Sequence, residues 1–117
     1  MKAPSELRVS KDRTVLTVTF PAQQPVELTA EMLRVMSPSA EVQGHSPDQR
    51  VLVYGKKDVT IASLEPVGHY AVRIVFSDGH STGLFTWIYL DELARKGDQR
   101  WADYLDELRT KGLRRER

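Results

Sequence analysis

Thr29 and Thr86 stand 57 residues apart, and each closes the same local pattern. Val18-Thr19-Phe20, a break, Val26-Glu27-Leu28-Thr29 and then Leu33 read as strand, turn, strand, cap and helix. Ile74-Val75-Phe76, a turn, Gly83-Leu84-Phe85-Thr86 and then Leu90 repeat that order. Leu28/Phe85 and Leu33/Leu90 keep the 57-residue spacing, while Val18/Ile74 and Phe20/Phe76 lie 56 apart, so one hairpin loop is a residue longer. Such an echo restricts the chain to an α+β architecture. The expectation is two ββα-like halves sharing one antiparallel-rich sheet, short helices packed on it, and a C-terminal helix.

Leu7, Val9 and Val15–Phe20 alternate apolar and polar residues around the polar turn Lys11-Asp12-Arg13, so residues 6–20 read as a hairpin. Thr29 caps a short helix from Ala30 to about Val35, with Glu31 in the first turn where an acid suits the helix dipole. Ser37–Gln49 is polar, carries Pro38, Gly44 and Pro47, and reads as a long loop. Lys57–Leu64 and His69–Phe76 read as strands about a Pro66-Val67-Gly68 turn. Ser77-Asp78-Gly79-His80 is a hairpin signal, since Asp-Gly tolerates positive φ, and Thr82–Phe85 returns as a strand. Thr86 caps a helix to about Lys96, Gly97 stops it, and Asp98 caps a last helix over about 99–111 with Trp101, Leu105 and Leu108 on its apolar face. The expected division is a domain at 1–97, then a helix and basic tail at 98–117.

At 117 residues, one core can form without staples. No cysteine is present, which excludes disulfides, thiolate metal sites and cysteine nucleophiles. No apolar run suffices for a membrane helix or a secretory signal, so the expected location is cytoplasmic. Net charge is +1, yet Arg109–Arg117 hold five Lys or Arg against one Glu, leaving the other 108 residues at −3. A basic tail can meet phosphates, but the acidic body and the lack of an aromatic–basic motif argue against nucleic acid. A solvated, frayed end is expected.

The histidines are His45, His69 and His80. His45 with Glu41 and His80 with Asp78 bring imidazole and carboxylate close in sequence, the ingredients of a metal or acid–base site. None of these sits at a known ligand spacing, and no phosphate loop or nucleophile elbow occurs. Tyr54 and Lys56 read as solvated edge residues. Trp87 and Tyr89, after the Thr86 cap, could be an aromatic platform beside the Asp78-Gly79-His80 turn, with a half-buried, strand-packing Trp87 as the alternative.

Three stretches carry a resemblance: Leu33-Arg34-Val35-Met36-Ser37-Pro38-Ser39-Ala40-Glu41-Val42; Val59-Thr60-Ile61 with Leu64–Ile74; and Phe76–Leu90, the most specific. Over residues 6–95 the chain resembles the gamma-butyrobetaine hydroxylase-like N-terminal domain family, known as a free-standing bacterial domain of unknown function. In the carnitine-pathway oxygenases this domain precedes a catalytic jelly roll and holds a structural zinc through a Cys-Pro-Cys-x-x-Cys run and one histidine. By the resemblance, that run falls on Ser37-Pro38-Ser39-Ala40-Glu41-Val42 and the histidine on His80. The histidine is kept and all three thiolates are gone, so neither zinc nor another cofactor is expected.

The family also occurs joined to P-loop ATPases of the iron–sulfur carrier type. The resemblance therefore implies a non-catalytic accessory or protein-binding module linked to iron–sulfur protein maturation. The expected partner surface is Asp78, Gly79, His80, Trp87, Tyr89, Ser37, Ser39 and His45. The alternative is a metal-dependent or acid–base site of His80, His45, Asp78 and Glu41.

Overall fold

The computed structural model describes residues 2–44 and 49–116. In chain order it contains β1 (Glu6–Val9), β2 (Val15–Thr19), β3 (Val26–Thr29), α1 (Ala30–Val35), α2 (Ala40–Gln43), β4 (Ile61–Val67), β5 (Ala71–Phe76), β6 (Leu84–Thr86) and α3 (Trp87–Thr110). This is an α+β fold. The halves do not share one sheet: they form two three-stranded antiparallel sheets, β1-β2-β3 and β4-β5-β6.

The echo holds at atomic level. Thr29 Oγ1 accepts from Met32 N–H and Thr86 Oγ1 from Tyr89 N–H, both at 3.1 Å. The first helical N–H of each unit returns to the residue just before the middle strand, Ala30 to Thr14 O at 2.7 Å and Trp87 to Tyr70 O at 3.0 Å. The ladders match too, with Leu16 opposite Leu28 and Val72 opposite Phe85.

The sheets meet at Arg13, whose backbone carbonyl accepts from Ile61 N–H at 2.8 Å and whose Nε donates to Ile61 O at 2.7 Å. Alternation along β2 sends Leu16 and Val18 into a core shared with Phe20, Leu33, Ile61, Ile74, Phe76, Phe85, Leu90 and Leu93. Val35, Tyr104 and Leu108 form a smaller second cluster.

Several boundaries differ from expectation. Part of the 37–49 loop is α2, and residues 45–48 lie outside the described residues. β4 begins at Ile61 and runs through Pro66-Val67, so the turn is 68–70. α3 is one helix of 24 residues, crossing the expected boundary at 97/98. Gly97 is buried inside it rather than ending it, packed beside Met32. The apolar face below it uses Tyr104 where Leu105 was expected; Leu105 is exposed.

A methyl group on Gly97 would sit 3.5 Å from Met32 Cε and Sδ, an ordinary contact with a flexible side chain. Gly97→Ala is therefore expected to stabilise the chain by about 0.5–1 kcal/mol through helix propensity, as measured by urea denaturation. A net loss would show that α1 and α3 cannot accommodate one carbon.

Among the described residues no helix is long and apolar enough to cross a membrane.

Candidate functional site: a closed hydroxyl–imidazole–carboxylate cluster

The site lies where the link from α1 to α2 meets the β5–β6 hairpin. The hairpin is set by Gly79, at φ 90°, whose N–H donates to Phe76 O at 3.0 Å, and by Phe76 N–H donating to His80 O at 2.9 Å. His80 N–H donates to Asp78 Oδ1 at 3.2 Å. Together these turn the His80 ring inward, 6.1 Å between centroids from Phe76.

From the other side, α1 ends at Met36, whose carbonyl accepts from the Tyr89 hydroxyl at 2.5 Å. Gln43 Nε2 donates to Ser37 O at 2.9 Å, folding α2 back over the link. Gly44 at φ 68° completes the bend, where a Cβ would meet Gln49 Cβ at 2.6 Å.

Ser37 Oγ lies 2.9 Å from His80 Nε2, and Ser39 Oγ 3.4 Å from the same nitrogen. Glu41 Oε2 is 3.2 Å from His80 Nδ1. With a carboxylate on Nδ1, that nitrogen carries the proton and Nε2 accepts from the serine hydroxyls. Burial lowers the His80 pKa below the ordinary histidine value; the Arg34 charge adds to this, while Glu41 and Asp78 oppose it. The neutral ring thus satisfies two buried hydroxyls at once.

Asp78 caps the arrangement from outside. Arg34 Nε donates to its Oδ2 at 2.8 Å, and Lys56 Nζ lies 2.6 Å from the same oxygen. Partial burial raises the Asp78 pKa. Hydrogen bonds from Lys56, Arg34 and the His80 N–H outweigh that and leave it lowered to about 2. Lys56, expected as a solvated edge residue, is a partner of the site. Sequence reading missed both cations, since no local pattern links residues 22 and 44 positions away from Asp78.

The sign for stability follows directly. A carboxyl held below its unfolded value of 3.8 contributes above that pH and loses its contribution as pH falls towards 2. The ion pairs are partly solvated, so the contribution is about 1–2 kcal/mol. Asp78→Asn is expected to be destabilised by that amount at pH 6 and to converge on the parent chain near pH 2, as compared by urea midpoints. A constant gap between the two would contradict the assignment.

Of the expected surface, Ser37, Ser39, Asp78, Gly79 and His80 come together, with Tyr89 beside them through Met36; Glu41, from the alternative site, joins them at His80. His45 lies outside the described residues. Trp87 does not join them. It sits at the other end of the β5–β6 ladder, next to the pairing of Ala71 with Thr86. It is buried rather than an exposed platform, with its indole N–H donating to His69 O at 2.7 Å.

The Ser37–His80–Glu41 order is that of a general-base relay, but its hydroxyl end is closed while Glu41 stays exposed. Ser37 is 0% exposed, and Gly83 packs so tightly that a Cβ there would lie 2.3 Å from Ser37 Oγ. No substrate atom has room to reach the hydroxyl. Nor do these residues fit a structural zinc. The nitrogen that would bind it is engaged by hydroxyls, and Val42, buried and aliphatic, fills the third thiolate position. Among the described residues no group of three or more His, Asp or Glu is placed to hold a metal ion.

Two NMR solution structures match at 50% and 42% identity, covering 99% and 98% of this chain and 91% and 86% of theirs, with TM-scores of 0.86 and 0.83. A crystal structure of a DUF971-family protein of unknown function from Acidithiobacillus ferrooxidans matches at 41% identity over 78% of this chain and 91% of its own, with a TM-score of 0.64. No curated protein matches. The family model described as gamma-butyrobetaine hydroxylase-like, N-terminal, matches residues 7–91. On that match, the chain belongs to the gamma-butyrobetaine hydroxylase-like N-terminal family.

Proposed function

We propose that the chain is a non-catalytic accessory module of the cytoplasm that binds a protein partner, a P-loop ATPase of the iron–sulfur carrier type. The observation that carries the binding reading is the apolar surface around Trp87. Ile88 is 67% exposed and Tyr70 55% exposed. With Thr86 and Trp87 they line a shallow cleft of about 260 Å³. Large apolar side chains grouped beside a fixed indole are the usual composition of an interface anchor. The nature of the partner rests on the family resemblance alone. The closed His80 cluster supports a structural rather than a chemical role for that half of the expected surface.

The test is an NMR titration of the isotope-labelled chain with such an ATPase. Perturbed amides are expected at Tyr70, Thr86 and Ile88, and Ile88→Asp is expected to weaken Kd by about tenfold or more, on the order of 1.4 kcal/mol. Perturbation confined to the His80 hairpin, or an unaffected Ile88→Asp, would move the surface elsewhere. No interaction at all would remove the partner.

A further inference from the structure

Residues 113–116 of the basic tail pack on the body rather than fray. Arg114 O accepts from Gly55 N–H at 3.0 Å and Arg115 O from Lys57 N–H at 3.1 Å, so residues 114–115 lie along 55–57. Side chains alternate in exposure along this segment. Leu113 packs against the cluster of Val35, Tyr104 and Leu108, Arg114 faces solvent, and Arg115 turns in again.

Arg115 forms one wall of a cleft of about 240 Å³, whose other walls include Leu28, Met32, Leu93, Trp101 and Glu31. Its Nε donates to Glu31 Oε2 at 2.9 Å and its Nη2 to Oε1 at 2.7 Å. The guanidinium carbon lies 5.5 Å from the Trp101 ring centre. Glu31 is only 6% exposed. A carboxylate so enclosed is costly without a cation. The two-point fork with a stacked indole suits a planar guanidinium and not an ammonium.

Backbone donors, an apolar pocket and a carboxylate–indole pair are the parts of a receptor for a short peptide. The resident segment follows α3 through Lys111 and Gly112, and Leu113 N–H donates to Leu108 O at 2.9 Å. Gly112 has φ 65° and nothing within 4 Å of where a Cβ would be. We propose that the seats of Leu113 on the Val35–Tyr104–Leu108 cluster and of Arg115 on Glu31 and Trp101 together form a binding site for a basic peptide carrying leucine and, two residues later, arginine, occupied in the resting chain by its own tail as a displaceable plug. It stands apart from the Trp87 surface, and neither depends on the other.

The test uses the full chain with both anchors removed, Leu113→Ala and Arg115→Ala together, and a labelled synthetic peptide of residues 109–117 read by fluorescence anisotropy. Saturable binding is expected, at least tenfold tighter than to the unaltered chain, whose two seats are occupied by Leu113 and Arg115. Replacing arginine by lysine in the peptide at the position of Arg115 should weaken it at least tenfold, as should Glu31→Gln in the protein. No saturable binding to the folded variant, or equal binding of the lysine peptide, overturns the proposal. Native-state hydrogen exchange on the unaltered chain decides the matter even if the double variant fails to fold. The amides of Gly55 and Lys57 should exchange at least a hundredfold faster than those of central strand β5, through local release of the tail. Exchange at the same rate would mean that the tail leaves only on global unfolding, and would overturn the plug.

Discussion

Gly83→Ala is expected to destabilise the chain by about 3 kcal/mol. Gly83 is buried, and a Cβ there would meet Ser37 Oγ at 2.3 Å, Pro38 Cδ at 3.3 Å and Phe85 Cε1 at 3.4 Å. Overpacking of this kind costs about 1–3 kcal/mol. Relief requires Ser37 to swing away from His80 Nε2, which strands a buried hydroxyl and an imidazole acceptor for about 1–3 kcal/mol more. Urea denaturation of Gly83→Ala, Ser37→Ala and the double variant forms a cycle that isolates the contact. The double variant should lose less than the sum of the singles, because Ser37→Ala removes the clashing oxygen. Additive losses, or a Gly83→Ala chain within about 0.5 kcal/mol of the parent, would mean that the hairpin is looser than a 2.9 Å bond implies.

His80→Ala is the second large effect, also about 3 kcal/mol. It removes a ring with 8% exposure that packs near Phe76 and leaves a void. It also deprives Ser37 and Ser39 of their shared acceptor. A histidine kept at the surface for chemistry would cost little to truncate. Denaturation near pH 7 separates the cases. A loss well above 1 kcal/mol is the structural outcome, and an unchanged midpoint would return His80 to the list of reactive groups.

These effects show which parts of the molecule are written locally. Thr29 and Thr86 are legible because an N-cap needs only its own hydroxyl and the N–H three residues on. The Asp78–His80 turn is legible because positive φ falls on Gly79. Gly97 misleads for the same reason: glycine marks a helix end by backbone freedom, yet here α3 runs through it, buried beside Met32, a residue 65 positions away. The choice of Tyr104 over Leu105 depends on the Val53 carbonyl that its hydroxyl reaches at 2.8 Å. The pairing of Ser37 with His80 spans 43 residues, and only the family resemblance brought those positions together. Arg115 on Glu31 spans 84, and no periodicity or composition marks it. The separation into two sheets is likewise a tertiary outcome, since each half carries the same strand signals whether or not their edges join.

Side-chain NMR of His80, with zinc added to the chelator-stripped full chain, bears most directly on the cluster. A neutral ring is expected, protonated on Nδ1 and accepting at Nε2, with signals unmoved by one equivalent of zinc. Stoichiometric zinc binding that shifts His80 would contradict a site closed on its own hydroxyls.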